Sequence, residues 1–243
     1  MDKSKERVYM LDILRGIAVI GMVFHHSLVS YEVIYDTTVK WLYGKAFASV
    51  QLIFVAVFLL VSGVCTHYSR NVLRRGIIVF AAGMVMTVAT CFVLPAMGIE
   101  GMNIYFGILH MFGLSMIIYA FIKRLLCKIP AVVGMSVFTV LFIAYYIFYA
   151  KEPVADTWLL LPFGVIPTSM EYYGDYYPLL PFFFLFVAGT YVGKLIKDNK
   201  FPQWFYNFRI PVLEFVGRKS LWIYVLHQPI IFPVIMLVYN LTV

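Results

Sequence analysis

Apolar residues run through this chain in long unbroken blocks, and the polar residues gather between them. Seven blocks come near the roughly 20 residues an α-helix needs to cross hydrocarbon. They cover residues 9–30, 46–68, 75–96, 103–124, 129–150, 176–197 and 219–240. Such blocks lack the two-residue alternation of lipid-facing and lumen-facing positions, which excludes a transmembrane β-barrel. The pattern predicts an all-α fold, a polytopic membrane bundle of about seven transmembrane helices. No stretch between blocks is both long and polar enough to build a soluble core, so residues 1–243 are expected to form a single integral-membrane domain. The first block carries Asp12 and Arg15 and has no small-residue cleavage site after it. A retained first helix, not a signal peptide, is therefore expected.

Two segments interrupt the pattern. Residues 153–169 are apolar but too short to span, and Pro153, Pro162 and Pro167 break them. A re-entrant or interfacial segment fits them, provided its backbone is satisfied by protein or by a wet cavity. Residues 201–216 place Trp204, Tyr206 and Arg209 as a membrane-interface belt. In the sixth block Gly189 and Gly193, and in the second Ser62 and Gly63, predict close backbone contacts between helices.

Charge adds an orientation. Sixteen of the 19 Lys and Arg residues fall on the amino-terminal side of the seven-span pattern, among them Lys3, Lys5, Arg7, Arg70 and Arg124. Lys40, Lys45 and Lys151 alone fall on the other. The positive-inside rule then puts the amino terminus in the cytoplasm, as expected of a multi-pass protein of the cell inner membrane. The net charge of +7 is dispersed over juxtamembrane turns, which gives some attraction to anionic lipid and no support to a nucleic-acid partner. Composition agrees: 63% hydrophobic and 13% charged, where a soluble chain carries about 25% charge. Cys65, Cys91 and Cys127 are isolated and odd in number, which predicts packing residues and not a disulfide framework.

Polar groups inside an apolar span are expensive, so the first block draws attention. Asp12, Arg15, Val19, Met22 and His26 step by three and four and form one stripe on a helix. Arg15 and His26 are eleven residues apart, about 16 Å along the axis. His25 points about 100° away. An Asp12–Arg15 ion pair is one reading of the near end, and a backbone-bonded neutral imidazole is one reading of His26. His110 lies at a similar depth by residue count, and His227 nearer the cytoplasmic side. In its HQP setting, Pro229 frees backbone carbonyls that His227 can bond. His67 reads as an interface residue. Asp175, at the mouth of the sixth block, is either a solvated cap or an acid that orients an imidazole or substrate. Tyr172, Tyr173, Tyr176 and Tyr177 crowd the same edge, as interfacial anchors or as stacking platforms for a sugar. No histidine spacing with acidic partners makes a convincing metal set.

The motifs LDILRGIAVIGMVFHH, FGILHMFGLS, DYYPLLPFFFLFVAGTYVGK and FVGRKSLWIYVLHQP resemble, in this order and over nearly the whole chain, the prokaryotic branch of the heparan-α-glucosaminide N-acetyltransferase catalytic family. The Arg15 to His26 spacing is also similar to the arginine–histidine motif of bacterial membrane acyltransferases that O-acetylate surface glycans. The resemblance implies a membrane enzyme that moves acetyl from cytosolic acetyl-CoA to a sugar amino or hydroxyl group on the far side. Its implied partners are acetyl-CoA, a carbohydrate acceptor and the bilayer, with no metal; a homo-oligomer is left open. In the eukaryotic heparan enzymes the position of His26 is an asparagine, and their catalytic histidine falls eleven residues later, where this chain has Thr37. The catalytic role would here pass to His26, as general base or transient acyl carrier. Asp12, Arg15, Arg218 and Lys219 would serve the phosphates of the donor, and Asp175, His110 and Tyr176 the acceptor. The rival class is a small-molecule or lipid transporter with an intramembrane Asp12, Arg15 and histidine relay.

Overall fold

A computed structural model describes residues 7–96, 98–99, 101–149, 151, 153–170 and 175–242. Lys3, Lys5, Tyr172 and Tyr173 lie outside the described residues. The helices, in chain order, are α1 (Tyr9–Tyr35), α2 (Lys45–Val64), α3 (Val72–Val88), α4 (Leu94–Ala96), α5 (Ile108–Leu126), α6 (Ala131–Tyr149), α7 (Leu179–Lys197), α8 (Gln203–Asn207), α9 (Pro211–Arg218) and α10 (Ser220–Thr242). A turn of 3₁₀-helix extends α2 to Tyr68, and a π-turn over Ala89–Val93 joins α3 to α4. Seven helical stretches are thus long and apolar enough to cross a membrane, at Tyr9–Tyr35, Lys45–Tyr68, Val72–Ala96, Ile108–Leu126, Ala131–Tyr149, Leu179–Lys197 and Ser220–Thr242. The all-α membrane architecture read from the sequence is the one observed.

Two boundaries moved by five residues, each for a local reason. The first helix runs five residues beyond the expected 30, through a turn in which Glu32 is buried and accepts the Tyr43 hydroxyl at 2.7 Å and the Val39 N–H. Those partners let a charged residue continue the helix. The fourth span starts at Ile108 instead of 103, because Asn103–Gly107 is held as a loop by threonines of the preceding span. Thr90 Oγ1 accepts the Ile104 N–H at 3.1 Å, and the Thr87 hydroxyl donates to the Ile104 carbonyl at 2.8 Å. Residues 153–169 do not span. They form a short parallel ladder, β1 (Val154–Ala155) against β2 (Ile166–Pro167), around a 3₁₀ segment at Trp158–Phe163. The Tyr176 and Tyr145 hydroxyls donate to the Leu161 and Phe163 carbonyls at 2.6 and 2.8 Å, so the segment is satisfied by protein.

The chain divides into two compact units, one of residues up to Val61 with those from Asn199, the other Ser62–Asp198. In the first, α1 packs against α9 and α10. In the second, α7 is the buried centre, with Phe186, Val187 and Ala188 fully enclosed, and α5 and α6 lie on it. The small residues act as expected there. A Cβ at Gly63 would strike the Phe186 carbonyl, and one at Gly193 the Val64 backbone. The His67 imidazole donates from Nε2 to the Thr190 carbonyl at 2.7 Å across the same contact. Large apolar side chains such as Phe92, Phe121 and Leu241 point outward from the helices, as a lipid solvent allows. Among the described residues no buried side-chain nitrogen or oxygen lacks a hydrogen-bond partner.

Candidate active site

The near end of α1 is organised by Asp12, which is buried. Its Oδ2 accepts from Arg7 Nε at 2.7 Å, whereas its Oδ1 stands 3.5 Å from Arg15 Nη1. The pairing expected from the i, i+3 spacing is therefore the looser of two, and Arg7 is the tight partner. That hydrogen bond holds the Arg7 guanidinium above its ordinary pKa. Among the described residues Arg15 has no hydrogen-bond partner besides Asp12, so most of its donors are uncommitted there.

α9 seats directly on this end. A Cβ at Gly217 would collide with the Asp12 carbonyl, and one at Gly16 with the Leu213 carbonyl, so both glycines are needed for the approach. Arg218 and Lys219 follow Gly217 at once and are exposed, beside the first turns of α1. The seat is clamped by Arg209, which donates to both oxygens of Glu214 at 2.7 and 3.1 Å and lies 3.4 Å over the Tyr9 ring. Glu214 is 1% exposed, and its hydrogen bonds from Arg209 hold it below the usual carboxylate range. A basic rim of Arg15, Arg218 and Lys219 at one helix end suits a polyphosphate; among the described residues the acids at this end of α1, Asp12 and Glu214, are each already paired with an arginine.

Further along α1, the histidines separate as helical phase requires. The His25 ring stacks on Phe47 of α2 at 5.6 Å between centroids. His26 instead faces α10. Its Nδ1 is 2.7 Å from His227 Nε2, and the two rings stack with centroids 4.9 Å apart and 18° between planes. Among the described residues nothing hydrogen-bonds His26 Nε2. His227 is buried, and its Nδ1–H donates to the Tyr224 carbonyl at 2.5 Å. The carbonyl used is not Val225, the one that Pro229 leaves without a helical donor. Ser30 Oγ lies 2.9 Å from the His26 carbonyl and 3.0 Å from Gln228 Oε1, tying the two helices one turn beyond the rings. Counting residues from the helix starts put His227 nearer the cytoplasmic side than His26. The observed contact puts them level, because α9 and α10 begin partway along α1.

His110 sits in the second unit and has both ring nitrogens engaged. Nδ1 accepts the Gly107 N–H at 3.1 Å, capping α5, and Nε2–H donates to Thr87 Oγ1 at 3.2 Å. It therefore offers no ring nitrogen to an acceptor. Its capped turn carries its neighbours: Gly107 bridges to Tyr176, and a Cβ at Gly107 would meet the Asp175 backbone and carboxylate. Asp175 adopts a left-handed φ of 47° at this bend. The Tyr176 hydroxyl is committed to Leu161. Thr37 is exposed just after α1.

The pairing of His26 with His227 was not drawn from the sequence, nor were the roles of Arg7, Glu214, Ser30 and Gln228. Ser30 was legible in part, being one turn after His26 on the same face. Among the described residues no three His, Cys, Asp or Glu side chains group as metal ligands.

No curated protein and no solved structure matches the chain. A family model described as heparan-alpha-glucosaminide N-acetyltransferase, catalytic, matches residues 7–229, from the Arg7 that grips Asp12 to just past His227. With nearly its whole length covered, the chain belongs to the heparan-α-glucosaminide N-acetyltransferase catalytic family.

Proposed function

We propose that the protein transfers the acetyl group of acetyl-CoA to an amino or hydroxyl group of a sugar or glycan, with His26 as the general base. The coarser statement follows from the family: this is a membrane acetyltransferase, and the transporter reading gives way to it. The observation that carries the finer reading is the unengaged Nε2 of His26, on the same helical face as Arg15 and about 16 Å from it. Arg15, Arg218 and Lys219 would receive the phosphates at the cytoplasmic end, and the extended pantetheine arm spans the distance to the imidazole.

In the reaction, the acceptor N–H or O–H gives its proton to His26 Nε2 as its heteroatom attacks the thioester carbonyl. The C–S bond breaks, the new C–N or C–O bond forms, and His26 returns the proton to the departing sulfur as CoA thiol. His110 and Tyr176 hold backbone of the second unit, at the Gly107 N–H and the Leu161 carbonyl, and this reading gives the base role to His26 in the first unit.

The purified protein in lipid vesicles is expected to bind acetyl-CoA by calorimetry and to release CoA thiol with glucosamine as probe acceptor. Cysteines introduced as Asn71→Cys and Asp156→Cys, both at exposed positions, should label from opposite sides, position 71 from the donor side. Protein that neither binds nor consumes acetyl-CoA would sink the reading.

A further inference from the structure

We infer that His227 is a positioning residue that fixes His26 in its Nδ1–H tautomer and leaves Nε2 as the bare basic nitrogen, through a relay that starts at the Tyr224 backbone carbonyl. This rests on the base role given to His26. A carbonyl oxygen can only accept, so the Tyr224 contact requires a proton on His227 Nδ1. A neutral imidazole carries one proton, so His227 Nε2 is an acceptor. The 2.7 Å contact then needs its proton from His26 Nδ1, and a neutral His26 has none on Nε2. A free imidazole prefers the opposite tautomer, with the proton on Nε2. The fold inverts that preference, and the inverted form is the one that can take a proton from an acceptor.

No carboxylate takes part in this relay among the described residues, unlike the triad in which an acid orients the base. The substitution of a backbone dipole for an acid suits a site in an apolar span, where a further buried charge is costly. When His26 takes the acceptor's proton on Nε2, the Nδ1 proton is already aimed at His227 Nε2. The positive charge is then shared by two imidazoles and the Tyr224 carbonyl until the proton goes back to the thiolate. The contact is held by more than itself: the rings stack, and the Ser30 hydroxyl on α1 stands 3.0 Å from Gln228 Oε1, beside His227, to which it can donate.

The direct test is the imidazole ¹⁵N spectrum of the full-length protein in vesicles, labelled at histidine and assigned by single substitutions. Wild-type His26 should show a protonated Nδ1 and a bare Nε2; a protonated Nε2 in wild type overturns the inference whether or not any variant folds. His227→Phe keeps a stacking ring without an acceptor and should return His26 to the Nε2–H form. It should lower kcat for CoA release to glucosamine at least tenfold with the KM for acetyl-CoA within twofold. His227→Gln supplies an acceptor oxygen and should recover much of that loss. An active His227→Phe with the wild-type tautomer would refute the relay while His26 remained the base. Normal turnover by His26→Ala would instead refute the base role, and the relay with it.

Discussion

Two histidines within the apolar spans, His110 buried and His26 half-buried, look alike in the sequence and differ in what they have left over. His110 has spent both nitrogens, one on the Gly107 N–H and one on Thr87, and so holds the turn that begins α5. His26 has spent one, on a second histidine, and keeps the other. Each environment satisfies the general demand that buried polar groups be bonded. The first does so with fixed groups of the fold. The second does so with a partner whose own proton is assigned by a carbonyl, which leaves a basic nitrogen in a chosen place. Being enclosed in a span does not by itself separate a catalytic imidazole from a structural one; on the proposed reading, the unassigned nitrogen does.

The contrast predicts opposite kinds of loss. His26→Ala should cut acetyl transfer by about 10²–10⁴-fold while acetyl-CoA still binds, the usual cost of a missing general base. His110→Ala should leave the Gly107 N–H and Thr87 short of a partner and cost about 1–3 kcal/mol of stability, read as a lower midpoint of thermal unfolding. Specific activity per folded molecule should change little. The comparison breaks if the folded His110 variant loses turnover and the His26 variant does not.

Arg15 offers a sharper probe of the donor end. Since Arg7 holds Asp12 at 2.7 Å, Arg15→Ala does not strand the carboxylate. It should weaken acetyl-CoA binding by about 1.5–3 kcal/mol, a tenfold to hundredfold rise in Kd, with the fold intact. An unchanged Kd in a folded Arg15→Ala protein would make Arg15 structural.

The smallest effect concerns the clamp on α9. Glu214 is held below its ordinary pKa of 4.5 by Arg209. A depressed carboxyl contributes stability above the unfolded value and loses it as pH falls through the folded one. The difference in melting midpoint between wild type and Glu214→Gln should thus be full at neutral pH and shrink below about pH 4.5. A difference that grows on acidification would remove the ion pair as the cause.

Much of this was legible in the sequence because hydrocarbon imposes simple rules. Apolar length gave the seven helices, and three-and-four spacing separated His26 from His25, which do face different partners. The glycines at 63 and 193 announced a close helix contact, and one is found. What could not be read was mutual position. His26 and His227 are 201 positions apart, and no local period connects them. Residue counting also assumes that every helix begins at one level; α9, lying along the start of α1, breaks that assumption for α10. The cap that His110 makes was not legible either, because a loop-to-helix turn leaves no periodic trace.

The seat of α9 on α1 has a consequence for how this chain can be altered. α9 ends at Arg218 and α10 begins at Ser220, so Lys219 alone links them. The clamp at Arg209, the glycine contact at 217 and the imidazole at 227 are therefore carried on one nearly continuous stretch, docked against residues 7–30. In a chimera between relatives, residues 209–228 and 7–30 must travel as a matched cassette. Exchanging either alone would keep every span hydrophobic and still put the two rings out of register.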